Sequence, residues 1–213
     1  MRVTPVLLVA LPLAAMRAQA QGFGACKPVA ERSSELGCWI LADQPVGPAP
    51  AGEVFWHLDA FPDSARAQRA KGANGVVIQS LGRSWLMTID ASKSRPKAPG
   101  EHVADIGPLH VARGTEYSAT FLESVMTPGM TSAVHRHPGP EAWYTVSGEV
   151  CLEIPDGKIV GGPGKPAIVP QGPPMFLTAI GRAQRRGITL ILHETAQPPT
   201  TMEKTWKPKG LCK

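Results

Sequence analysis

Hydrophobic and polar positions alternate with a period of two through most of the second half of the chain. Residues 149–154, Glu-Val-Cys-Leu-Glu-Ile, follow that alternation and predict a half-buried strand. Short runs of the same character recur at 102–105, 110–112, 117–125, 142–146, 167–169, 175–178 and 187–193, with turn signals such as Asp156-Gly157 and Gly161-Gly162 between them. Strands alone at this spacing predict a sandwich or barrel, so the chain reads as mainly β.

The first half has a different pattern. Apolar bursts at 37–42 and 54–58 predict two strands, the first followed by a loop holding Pro45, Pro48 and Pro50. Residues 63–72 lose the period of two and collect helix formers, with Asp63 as N-cap and Gly72 as the stop. Runs at 76–79 and 85–89 bracket Leu81-Gly82-Arg83 and predict a hairpin. Residues 92–100, rich in lysine and proline, predict a solvated linker. The expected organisation is therefore an α+β annex with its linker at 21–100, a barrel at 101–197, and a tail at 198–213 strapped over the barrel.

The first twenty residues stand apart. A positive start at Arg2, an apolar run over 6–15 and the small-residue exit Ala18-Gln19-Ala20 predict a signal peptide cleaved after Ala20. That run is too short to span a bilayer, and no other long apolar segment follows, so no membrane span is expected in the mature chain. A periplasmic or secreted location permits disulfides. Cys26, Cys38, Cys151 and Cys212 allow three complete pairings, and the spacing chooses none of them. Cys26 and Cys38 could close a short loop, Cys212 could pin the tail back to either, and Cys151, inside a strand, reads as a buried small apolar residue.

The formal net charge of +5 falls to +3 once Arg2 and Arg17 leave with the leader. Neither a basic block nor a basic stripe with interleaved aromatics is present, so nucleic acid is not an expected partner. No nucleophile elbow, phosphate loop, Cys-x-x-Cys or His-Glu-x-x-His occurs. His57, His102, His110 and His193 have no ligand spacing and read as structural.

One run does carry chemistry: Gly129, then His135-Arg-His137-Pro-Gly-Pro-Glu141, closing at Gly148. In an extended strand His135 and His137 share a face, with Cα atoms roughly 6.6 Å apart, close enough for both imidazoles to meet one ion. Pro138-Gly139-Pro140 must turn the chain, which returns carrying Glu141. Two imidazole nitrogens and a carboxylate form a facial set suited to Fe(II) or Mn(II). The competing reading is two strand histidines with backbone or solvent partners. By parity Trp143 and Thr145 share the face of Glu141 and are pocket candidates.

These spacings resemble the first motif of the cupin family, whose pattern fixes Gly129, His135, His137, Glu141 and Gly148. The second motif is matched at Gly164, Pro170 and Gly172, whereas Met175 stands where the family has its third metal histidine and Ala179 replaces an asparagine. The resemblance covers about residues 104–195. It implies a cupin-type antiparallel β-barrel, or jelly roll, beside the annex, with a divalent metal on His135, His137 and Glu141. Fe or Mn heads the expectation; Cu, Zn or Ni are alternatives, as is no metal at all. Met175 is read as pocket wall, leaving coordination positions open, because a thioether suits only copper among these ions. The implied partners are a small-molecule ligand or substrate and, as assembly, a homodimer. Two functions follow: a metal-dependent oxygenase or related enzyme, or a non-catalytic binding or sensing module with a vestigial or empty site.

Overall fold

The computed structural model describes residues 22–23, 25–50, 52–94 and 99–213. The leader expected at 1–20 and the middle of the expected linker, 95–98, lie outside the described residues. The strands in chain order are β1 (Gly22–Phe23), β2 (Lys27–Pro28), β3 (Gly37–Pro48) and β4 (Glu53–Phe61). The helix α1 (Ser64–Ala70) precedes β5 (Gly75–Ser80), β6 (Arg83–Asp90), β7 (Glu101–His110) and β8 (Glu116–Met126). Then follow β9 (Thr131–Ser132), β10 (His135–Arg136), β11 (Glu141–Ser147), β12 (Glu149–Ile154) and β13 (Gly157–Gly161). The last are β14 (Ala167–Val169), β15 (Phe176–Ile180), β16 (Arg185–Glu194) and β17 (Thr201–Met202).

Three sheets stack in layers. The middle one has six strands in the order β14-β11-β16-β8-β3-β2. Its alternation sends two sets of side chains to opposite sides, as period two requires. Phe121, Ala142, Ile188, Leu190 and Leu192 pack against Trp56, Leu58, Trp85, Met87 and Ile106 of the four-stranded annex sheet, β5-β6-β4-β7. Leu122, Ser124, Trp143, Thr189 and Ile191 point the other way and line the barrel interior. Across that interior lies the five-stranded sheet β1-β9-β15-β12-β13, contributing Val150, Leu152 and Leu177 to a second apolar cluster. The protein is thus mainly β, with antiparallel sheets forming a jelly-roll barrel.

Local signals behave as their chemistry predicts. Asp63 caps α1, its Oδ1 accepting from the Arg66 amide at 2.8 Å. The β5–β6 hairpin closes through Leu81 and Gly82, both at positive φ (53° and 78°), the geometry that matches strand twist.

The sheets do not follow the partition expected at residue 100. β3 pairs with β8 along its length and belongs to the barrel's middle sheet, while β7 pairs with β4 and belongs to the annex. The loop expected after Ala42 is instead a continuation of β3 to Pro48. Beyond its short pairing with β2 at Trp39 and Ile40, β3 is a sheet edge, where Pro45 and Pro48 leave no ladder donor missing.

The cysteines pair as Cys26–Cys38 and Cys151–Cys212. Cys151 is therefore no free apolar residue. Val150 and Leu152 on β12 face the core, so Cys151 faces outward, and the tail that covers it supplies Cys212. Glu153, next on that outer face, accepts from the amides of Lys209 and of Leu211, the latter at 2.8 Å. Two disulfides fit an oxidising environment. Among the described residues no helix is long and apolar enough to cross a membrane.

His102 on β7 illustrates how the annex is held. Its Nδ1 lies 2.9 Å from Asp59 Oδ1 and its Nε2 3.1 Å from Asp105 Oδ2, and only an imidazolium can donate to both. The hydrogen bond to Asp59, opposed by burial and helped by the Asp105 charge, holds the pKa of His102 above its ordinary 6.5. The stabilisation is full below that ordinary value and fades as pH rises through the higher folded one. Urea melts of His102→Gln should therefore differ from wild type most at about pH 5.5 and least at about pH 9. A difference that grows with pH would contradict the charged state.

Candidate metal centre

The site is assembled at one mouth of the barrel by a strand, a turn and a strand. β10 presents His135, Pro138-Gly139-Pro140 turns the chain, and β11 begins at Glu141. The turn lies tight on β16: the Leu192 amide donates to Pro140 O at 3.0 Å. A Cβ on Gly139 would fall 1.9 Å from the Leu192 carbonyl oxygen, so only glycine fits.

One ligand atom each from His135, His137 and Glu141 lie within 4.8 Å of one another. Hydrogen bonds set which atoms those are. His135 Nδ1 lies 2.8 Å from Ala133 O, and His137 Nδ1 lies 2.6 Å from Pro199 O, so each ring donates Nδ1–H to a carbonyl. Both Nε2 lone pairs are left for the interior, the arrangement by which backbone carbonyls orient metal histidines. His137 Nε2 stands 3.4 Å from Glu141 Oε1. Among the described residues neither that nitrogen nor Glu141 Oε2 has a hydrogen-bond partner, although both are buried.

The charges agree with the geometry. Burial pushes the His135 imidazole down, reinforced by neighbouring His137. Burial also opposes charge on His137, but the Glu141 carboxylate outweighs it and the pKa rises. Glu141 is the mirror case: burial favours its neutral form, yet His137 brings its pKa down. The site thus attracts a cation to the point between His137 and Glu141. A buried carboxylate, two oriented lone pairs and unpartnered donor atoms fit a divalent ion.

The cavity beside the cluster has a volume of about 60 Å³. Trp143 and Leu177 form its apolar wall, with Ser124 and Thr189 as polar points. The tail closes it. β17 pairs with β10, placing Met202 opposite His135, and Thr200 and Met202 face the cavity. An Arg136–Glu203 ion pair and the Glu203 amide on Val134 O, at 3.0 Å, fix the strap beyond.

The remaining sequence candidates fall elsewhere. Met175 exchanges backbone hydrogen bonds with His135, but its side chain lies outside the cavity lining, buried in the apolar cluster with Trp143, Val169 and Leu177. Thr145 has the parity of Glu141 but sits too far along β11 and does not line the cavity. Pattern reading missed the strap residues Pro199, Thr200 and Met202, for which the tail offers no periodic signal. It also missed Arg185, wholly buried on β16. Extending the alternation of Thr189 and Gly187 back two residues would have placed it inside.

No family model matches this sequence, and no curated protein matches it. Solved structures show similarity at low identity. A DMSP lyase, DddQ, from Ruegeria pomeroyi is 20% identical with a TM-score of 0.35, over 43% of this chain and 45% of that one. A cupin-like protein from Thermotoga maritima is 15% identical with a TM-score of 0.36, over 40% and 64%. An oxalate oxidase in complex with the substrate analogue glycolate is 20% identical with a TM-score of 0.33, over 40% and 45%. In each the match spans less than two thirds of the other chain. Two facing sheets, entered through a strand, a turn and a strand that carry His135, His137 and Glu141, make this chain a jelly-roll β-barrel with the three side chains gathered inside it.

Proposed function

We propose that the protein holds a divalent metal, Fe or Mn, on His135, His137 and Glu141, binds a small molecule in the barrel, and works as a metal-dependent oxygenase or related enzyme. One observation carries this reading: both histidines donate Nδ1–H to carbonyls and turn Nε2 towards a buried, ionised Glu141. Such an ion, when bound, supplies a Lewis acid and a redox centre. The chain's own contribution is orientation by Ala133 and Pro199, an apolar wall at Trp143 and Leu177, and the strap residues Thr200 and Met202 at the cavity's edge. Two disulfides and the leader-like start favour a periplasmic or secreted protein, and a homodimer is the assembly proposed with it.

A second reading, a binding or sensing module without turnover, is favoured by two features of the cavity. At about 60 Å³ it is far below the roughly 300 Å³ of an ordinary small-molecule site. Among the described residues that line it, the titratable side chains are the three proposed ligands, so none of these offers a separate general base.

Metal analysis of the purified wild type and of His135→Ala tests the first reading. Stoichiometric metal in the wild type, lost in the variant, is expected; equal metal in both, or none in either, overturns it. Oxygen uptake with phenols, diketones and sugar acids then separates enzyme from binding module.

A further inference from the structure

The inward face of β16 reads Arg185, Gly187, Thr189, Ile191, and the last two line the cavity. Arg185 is fully buried and is not itself part of the cavity lining, but its guanidinium lies against two residues that are. It donates through Nη1 to Ser124, to both the hydroxyl and the carbonyl, and its Cζ stands 4.8 Å over the Trp143 ring. Among the described residues its Nε and Nη2 have no partner, and neither does the hydroxyl of Thr189. Gly187 keeps the place open: a Cβ there would fall 2.6 Å from Arg185 Nη2 and 2.3 Å from Tyr144 O. The strand therefore omits a side chain to admit the guanidinium, then leaves two of its donors unused.

A buried cation with open donors is strongly unfavourable unless an anion comes to it. Burial pushes Arg185 down to about 9, with Glu141 acting against that, so it remains charged at neutral pH. Among the described residues Glu141 is the only acid lining the cavity. If it is committed to a divalent ion, as the proposed function holds, the interior keeps a net positive charge even with both imidazoles neutral. An entering ligand that is itself anionic removes that excess. A carboxylate does so with the geometry a guanidinium fork prefers.

We propose that Arg185 is the anion-recognition residue of the barrel and that the ligand is a small carboxylate, held by Arg185 and Thr189 at one end and reaching the His135, His137 and Glu141 cluster with a second oxygen. The inference rests on the proposed metal site for the excess of positive charge and for the second contact, and on the unpartnered Arg185 donors alone for the first. A purely structural Arg185, tying β16 to Ser124 on β8, is the alternative.

The test is calorimetric titration of the full-length protein with malonate and with neutral malonamide, as purified and after chelator treatment, with metal content measured on the same samples. Malonate should bind saturably and malonamide should not. Arg185→Gln should weaken malonate roughly 10–100-fold without changing metal content, the range for a charge-assisted hydrogen-bonded pair. Arg185→Lys, which keeps the charge and loses the fork, should fall between. Equal binding of malonate and malonamide by the wild type overturns the proposal, as does malonate binding that neither variant weakens. Should Arg185→Gln fail to fold, Arg185→Lys and the comparison of the two probes decide. Metal retained without malonate discrimination sinks only this inference. Arginine-dependent malonate binding in a wild type that retains no metal sinks the metal reading and leaves the anion site standing.

Discussion

Glu141→Gln is expected to fold and to lose its divalent ion, with affinity for Mn(II) falling by at least about 100-fold, beyond what loss of a supporting hydrogen bond usually takes away. The substitution is nearly isosteric, so the turn on β16 and the strap are undisturbed. In the metal-free protein the new amide can donate to His137 Nε2, which the carboxylate faces at 3.4 Å, so the variant has no obvious reason to unfold. What it removes is the only negative charge among the described residues that line the cavity. Two neutral imidazoles remain, too few to hold the ion against solvent. Competition with a chromogenic chelator reads the affinity directly. Thermal melts give a second reading: metal at about 100 times its Kd should stabilise the wild type by about 2.7 kcal/mol and leave the variant unmoved. Unchanged Mn(II) retention in Glu141→Gln would take the carboxylate out of the ligand set.

The second large effect concerns the strap. The Cys151–Cys212 bond closes a loop of sequence separation 61, for which the chain-entropy relation gives about 4 kcal/mol of stabilisation. The paired Cys151→Ser and Cys212→Ser replacement should therefore lower the unfolding free energy by up to about that amount. It should also loosen the cover of the cavity. The tail end would keep its bonds to Glu153, the Lys209 Nζ bond to Pro155 O at 3.2 Å and the Lys158 contact on Leu211 O at 2.8 Å. Nearer the site, β17 and the Arg136–Glu203 pair remain. Release of bound metal to excess chelator should then quicken by about tenfold for each 1.4 kcal/mol taken from the closed strap. Unaltered release would show that β17 and its neighbours close the cavity without help from the disulfide.

How much of this was legible follows the physics of each feature. His135, His137 and Glu141 could be found because strand parity and a Pro-Gly-Pro turn are local, and local geometry alone brings them together. Thr145 shows where parity stops: it tells which side of a strand a residue faces, not how deep along the barrel it lies. Arg185 escaped because a charged residue two places before Gly187 looks like the end of a strand. Whether such a residue is buried depends on β8 and Trp143, distant in sequence. The contact of His137 with Pro199 O joins residues 62 apart, and the disulfide pairing is likewise closed only in three dimensions. The assignment of β3 to the barrel and β7 to the annex was hidden for the same reason, since a strand's own pattern does not name its partner.

The middle sheet carries one further consequence. Because Phe121, Ile188, Leu190 and Leu192 are covered by annex residues while Leu122, Thr189 and Ile191 wall the cavity, a single set of strands serves as floor to one core and ceiling to the other. Strain or melting on either side is thereby felt on both, and the residues holding Trp56 and Trp85 in place bear on the candidate site without touching it. Residues 101–197 taken alone would leave Phe121, Ile188, Leu190 and Leu192 without the Trp56 and Trp85 that cover them.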